Sequence, residues 1–163
     1  MKKTTIIIVL LLFATIFGEA FAKQVDIAMA KKAGLNFYFE RVNQYRDIPF
    51  ENLMIKETCM VFYNDRPVYY VFNIEDKGFV IVSSDDAVTP VLAYSFDGIY
   101  SRDSQPPQFI SWMDGYARQI DQVITMDLKP GKPIIAEWAR LLTNDPSQFS
   151  PLKNTRDVTP LLI

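Results

Sequence analysis

The chain has 163 residues, 49% of them hydrophobic, a formal net charge of −2 and no histidine. That length suits one domain with a sizeable core, and the near-neutral charge leaves no basic stripe for a phosphate backbone, so nucleic acid is excluded as an expected partner. A single cysteine cannot build an intrachain disulfide framework, which leaves the apolar core, with its share of twelve phenylalanines and eight tyrosines, to hold the fold.

Lys2 and Lys3 open the chain, residues 4–17 form an almost unbroken apolar run, and Ala20-Phe21-Ala22 supplies a small-x-small cleavage pattern. Residues 1–22 are therefore expected to be a signal peptide, cut between Ala22 and Lys23, with the product exported to the periplasm or secreted. The apolar run is shorter than the roughly 20 residues of a bilayer span. No second run follows it, so no stable membrane span is expected once the signal is removed. The remaining 141 residues carry a charge of −3.

Residues 25–46 are predicted to form a helix. Ala30, Ala33, Phe37 and Arg41 follow steps of three and four, with Lys31, Lys32 and Glu40 as polar positions. Gly34 weakens that helix by ~1 kcal/mol relative to alanine, and Pro49 ends it at the latest. Strands are predicted at residues 55–63, 68–74, 79–83 and 91–95, rich in β-branched and aromatic side chains. Turn chemistry separates them: Asn64-Asp65-Arg66-Pro67, Glu75-Asp76-Lys77-Gly78, and a break at Pro90. Asp97-Gly98 turns the chain after the last strand. The third strand is apolar on both faces, as a strand inside a sheet should be.

The period then changes. After Pro106-Pro107, the residues Phe109, Trp112, Met113, Tyr116, Ile120 and Val123 recur at helical spacing and should lay one stripe across a sheet face. A turn at residues 129–133 leads to a short last helix at 134–142. From Thr143 the chain turns polar and reads as an exposed linker. The fold class expected is α+β: an antiparallel sheet of about four strands packed with an N-terminal helix and one or two C-terminal helices.

No catalytic set assembles from these residues. Cys59 lies within an apolar strand pattern, where a thiol is inert, and no histidine exists to activate it. Asp85 and Asp86 are adjacent, whereas glycosidase carboxyls face each other ~5–9.5 Å apart across a bond. At the end of Ser83-Ser84-Asp85-Asp86 they read as a turn or helix cap. Metal-ligand spacing and a phosphate-cradling glycine loop are both lacking, so no metal and no cofactor is expected. The aromatic run from Phe109 to Tyr116 is assigned to the core.

Val68-Tyr69-Tyr70-Val71-Phe72-Asn73, Gly78-Phe79-Val80-Ile81-Val82-Ser83-Ser84-Asp85-Asp86, Pro90-Val91-Leu92-Ala93-Tyr94-Ser95, and Pro106-Pro107 through Trp112 to Gly115-Tyr116-Ala117-Arg118-Gln119-Ile120 form an ordered series. Together they resemble the inhibitory pro-region of streptopain-type cysteine peptidases and the stand-alone inhibitors similar to it, over most of residues 25–125. Ala93 departs from a glycine common at that place, which is tolerable unless its φ is positive. Val158-Thr159-Pro160-Leu161-Leu162 resembles the opening of the family's catalytic domain, just past an activation-cleavage region, here Lys153, Asn154, Thr155, Arg156 and Asp157. The catalytic residues would then lie beyond Ile163.

The resemblance implies a proteinase inhibitor-like domain that binds and occludes a streptopain-type cysteine peptidase, in cis or in trans. Such an enzyme needs a thiolate paired with histidine, so this chain is not expected to be the enzyme. A truncated, catalytically dead zymogen fragment and a secreted binding module with another target stay open as alternatives. The expected division is 1–22 signal, 23–143 inhibitor-like domain, and 144–163 linker with the start of a catalytic domain. Contacts with the protease are expected on turns beside the central strands, because loops carry function more often than strands. These are Asn64, Asp65 and Arg66, then Asp85, Asp86 and Thr89, with residues 97–103 as a third loop.

Overall fold

Asp26 starts the first helix, α1 (Ile27–Val42), by accepting the Met29 N–H on its side-chain oxygen at 2.8 Å. The computed structural model describes residues 24–75 and 78–149 and continues into four strands and two further helices. α1 is shorter than predicted. Asn43 ends it by bonding its side chain to both backbone groups of Ile48, at 2.6 and 2.9 Å, a local alternative to helical pairing.

The strands β1 (Ile55–Tyr63), β2 (Arg66–Ile74), β3 (Gly78–Ser83) and β4 (Val91–Ser95) form one antiparallel meander in the order β1-β2-β3-β4. Asn64 and Asp65, at φ 47° and 60°, join β1 to β2. Positive φ at both central residues matches the twist of a two-residue hairpin. Asp76 and Lys77, in the predicted turn between β2 and β3, lie outside the described residues. Gly78, just after them, has φ 97°, and a Cβ there would stand 2.0 Å from the Ser95 carbonyl oxygen. Ala93 has no positive φ, so the family's glycine is not needed there.

Alternation along the two central strands sorts the core into two layers. Tyr70, Phe72, Ile74, Val80 and Val82 face α1. Tyr69, Val71 and Ile81 face α2 (Pro107–Thr125), which opens with proline in its first turn, where a missing N–H costs nothing. α3 (Lys132–Leu141) returns to the α1 side and adds Trp138 and Leu141 to that layer. Gly34 sits where α1 meets the sheet, its absent Cβ only 3.0 and 3.1 Å from methyls of Val82 and Val80. The residue that weakens the isolated helix is the one that lets it seat closely.

Two expectations need correction. The predicted exposed linker is not exposed throughout: a 3-10 turn, Pro146–Phe149, delivers Phe149 to the α1 layer at 2% exposure. The Arg140 guanidinium lies 5.6 Å from that ring, and the Thr143 carbonyl accepts from Asn36 Nδ2 at 3.2 Å. An aromatic ring in a polar tail gains by burial, and the packed unit runs at least to Phe149. Trp112 does not lie under its helix either. α2 buries Met113, Ala117 and Ile120, while Trp112 is 50% exposed, because the apolar positions from Phe109 to Tyr116 are too many for one stripe.

Candidate interaction surface

Strand direction decides which loops meet. The turn after β1 and the connection after β3 emerge at one end of the sheet, and the connection after β4 leaves from the other. At the first end, Ser84 donates its N–H to the Val68 carbonyl at 3.1 Å and its hydroxyl to Pro67 at 2.6 Å. The last turns of α2 reach the same place. Asn64 Nδ2 donates to Asp121 at 2.9 Å, and Arg66 donates to Thr125 Oγ1 at 2.8 Å while standing 3.8 Å from the Asp121 carboxylate. A cleft of about 380 Å³ opens between these elements, lined by Gln24, Arg66, Pro67, Asp85, Ile124 and Asp127 among others.

The structure thus brings together two of the three loops predicted as contacts. Asn64, Asp65 and Arg66 are exposed, and Asp86 and Thr89 are half-buried. Asp85 is 4% exposed and serves its own turn, its Oδ1 accepting the Ala87 N–H at 2.9 Å. Burial pushes its carboxyl above the ordinary aspartate range, against the opposing pull of that N–H. Thr89 donates to Glu137 at 3.3 Å, tying the loop to α3. The third loop is at the far end. There Asp97 pairs with Arg46 at 3.2 Å, Tyr100 N–H bonds Asn73, and Arg102 crosses to the Met60 carbonyl of β1 at 2.7 Å. The predicted signal-cleavage residues Ala20, Ala22 and Lys23, and the activation stretch Lys153, Asn154, Thr155, Arg156 and Asp157, lie outside the described residues.

A second concave surface runs along β4, and the sequence reading assigned its aromatics to the core. Phe37 of α1, Val91, Ala93 and Tyr94 of β4, and Phe109 and Trp112 of α2 are among the residues lining an apolar groove of about 480 Å³. Trp112 meets Phe109 edge-on at 6.3 Å and Tyr116 at a tilt at 5.3 Å between ring centres. The signal was present: Phe109-Ile110 followed by Trp112-Met113 is wider than one buried stripe.

The family model described as Spi protease inhibitor matches residues 15–120. The chain belongs to the Spi protease inhibitor family. A stretch of 92 residues is 29% identical to the thiol protease/hemagglutinin PrtT of Porphyromonas gingivalis, covering 56% of this chain and 10% of that protein. No solved structure matches it. The Spi-family match spans α1, the sheet and most of α2, so both loop ends and the β4 groove lie within it, whereas α3 and Phe149 lie beyond. Membership in an inhibitor family agrees with the state of Cys59. Its thiol is half-buried and pushed up first by burial and then by the neighbouring Glu57, the reverse of what a nucleophilic thiolate needs.

Proposed function

We propose that this domain binds a streptopain-type cysteine peptidase and covers its substrate cleft, acting as an inhibitor in trans or as a pro-region in cis. The observation that carries the reading is the inhibitor-family match over residues 15–120 in a chain with no histidine. The similarity to a stretch of a thiol protease supports a cysteine peptidase as the target class. In cis the domain would act at high effective concentration, and the residues beyond Phe149 would hold the junction, cut among Lys153 to Asp157. In trans it would rely on surface complementarity alone. Residues 1–22 would direct export, after which no span would remain; among the described residues no helix is long and apolar enough to cross a membrane.

The loop end carrying Asn64, Asp65, Arg66, Asp86 and Thr89 is the proposed contact for the rim of the enzyme, and its tethering to α2 and α3 supports that role by limiting the ordering cost of binding. The test is a titration of the exported chain into an active streptopain-type peptidase, following hydrolysis of a fluorogenic peptide. Loss of activity at a ratio near one to one, with the added chain intact, is the expected result. Undiminished activity beside a folded domain would leave the two alternatives, a catalytically dead zymogen fragment or a module for another target.

A further inference from the structure

The two outer strands of the sheet differ in how they treat their free edges. β1 carries exposed Lys56, Glu57 and Thr58, two register shifts, and a carbonyl at Met60 already bonded to Arg102. Charges and irregular pairing of this kind block the approach of another strand. β4 has the sequence Val-Leu-Ala-Tyr-Ser, without a charge, and among the described residues no strand lies on its outer side. Its pairing with β3 is regular from Ala93 to Ser95, with one shift before it.

Helices wall this edge on both sides. Tyr94 meets Phe37 of α1 edge-on at 5.2 Å between ring centres, while Ala93 faces the layer that holds Phe109 of α2. A strand added beside β4 would send alternate side chains to one wall and then the other. One cation stands at the α1 wall. The Arg41 guanidinium lies 5.2 Å over the Phe37 ring, makes no ion pair among the described residues, and has an Nε–H with no acceptor. Among the described residues the edge therefore combines a strand with no outer neighbour, two apolar walls and a cation without an ion pair.

We propose that the β4 edge is the partner-recognition edge of this domain and takes an extended segment of the target peptidase by strand addition. That segment carries apolar side chains at alternate positions and an aspartate or glutamate that meets Arg41. Backbone bonds along β4 supply the affinity and the two walls supply the selectivity. The proposal rests on the inhibitor reading and deepens it by naming the element that docks. The segment runs past Thr89 at the start of β4, which joins this edge to the loop end described above.

Hydrogen exchange on the complex with a streptopain-type peptidase tests it, together with inhibition by variants. Amides of Val91–Ser95 should exchange at least about tenfold more slowly in the complex. Arg41→Met, which keeps the aliphatic stem over Phe37, should weaken inhibition about tenfold, and Lys56→Glu on the opposite edge should leave it unchanged. Trp112→Ala serves as a second variant if Arg41→Met lowers the melting temperature. Inhibition with unchanged exchange at β4 would overturn the docking edge and leave the inhibitor reading intact. If no peptidase is inhibited, the inhibitor reading falls, and the blocked heptapeptide TVEVTVT, titrated into the ¹⁵N-labelled chain, decides the edge by itself. Shifts at Val91–Ser95, abolished by N-methylation of alternate peptide amides, support it. Shifts elsewhere, no shifts, or self-association of the chain through β4 overturn it.

Discussion

α1 buries seven residues between Ala30 and Val42, whereas the longer α2 buries only Met113, Ala117 and Ile120. The first helix is enclosed by the sheet, α3 and Phe149, and its small residues Ala30, Ala33 and Gly34 allow that enclosure. The second presents one narrow stripe to the sheet and leaves Ile110 and Trp112 half exposed, at 53% and 50%. One face of the sheet is spent on holding the fold. The other holds the fold and keeps aromatic surface available, and exposed apolar surface of this kind marks a place for a partner.

Disrupting what both faces share should have the largest effect. Gly78→Val places a branched side chain at φ 97°, with its Cβ against the Ser95 carbonyl, and so strains the backbone and splits β3 from β4. A loss of about 4 kcal/mol is expected, seen as a large drop in the denaturant midpoint. An unchanged midpoint would mean that the turn does not require a left-handed residue. Next come the two helix-interior glycines, which separate the faces by sign. Gly34→Val drives methyls into Val80 and Val82 and should cost about 2 kcal/mol. Gly115→Ala has nothing within 4 Å of the new Cβ and should gain about 0.5–1 kcal/mol from helix propensity alone. Thermal melts showing the same sign for both would refute the contrast between a closed and an open face.

That contrast also explains what could be read from the sequence. α2 was legible as a helix because packing on one side writes a period of three and four, although the stripe read from it included Trp112 and left out Ala117, which is buried beside Met113 and Ile120. α1 was harder, since burial on several sides blurs the stripe, and Gly34 looked like a defect until the closeness of the sheet explained it. The strands were legible because hairpin turns punctuate them, and β1 and β4 fall where turn chemistry placed them. The burial of Phe149 could not be read this way, and of the β4 groove only the surplus of apolar positions on α2 could. Each depends on elements that meet only in three dimensions: Phe149 on α1, and Trp112 across β4 from Phe37. Of the expected contact residues, Asp85 holds its own turn, as the turn reading of Ser83 to Asp86 implied, but its burial could not be read because a turn aspartate facing inward has the same local sequence as one facing out.

Asp85 supports the smallest prediction, at the end of the sheet where the two layers meet. Burial raises its carboxyl above the unfolded value near 4, so the folded state holds the proton more tightly than the unfolded chain does. The resulting stability is fully present below the unfolded pKa and is lost as pH rises through the folded one, so at neutral pH the ionised side chain is a net cost. Asp85→Asn keeps an oxygen to accept the Ala87 N–H and removes the ionisation. Its melting temperature relative to the natural chain should therefore be higher at pH 7 than at pH 4, by about 1–3 °C. Scanning fluorimetry at the two pH values checks this. An equal difference at both would mean that desolvation does not govern the carboxyl and that the turn tolerates its charge.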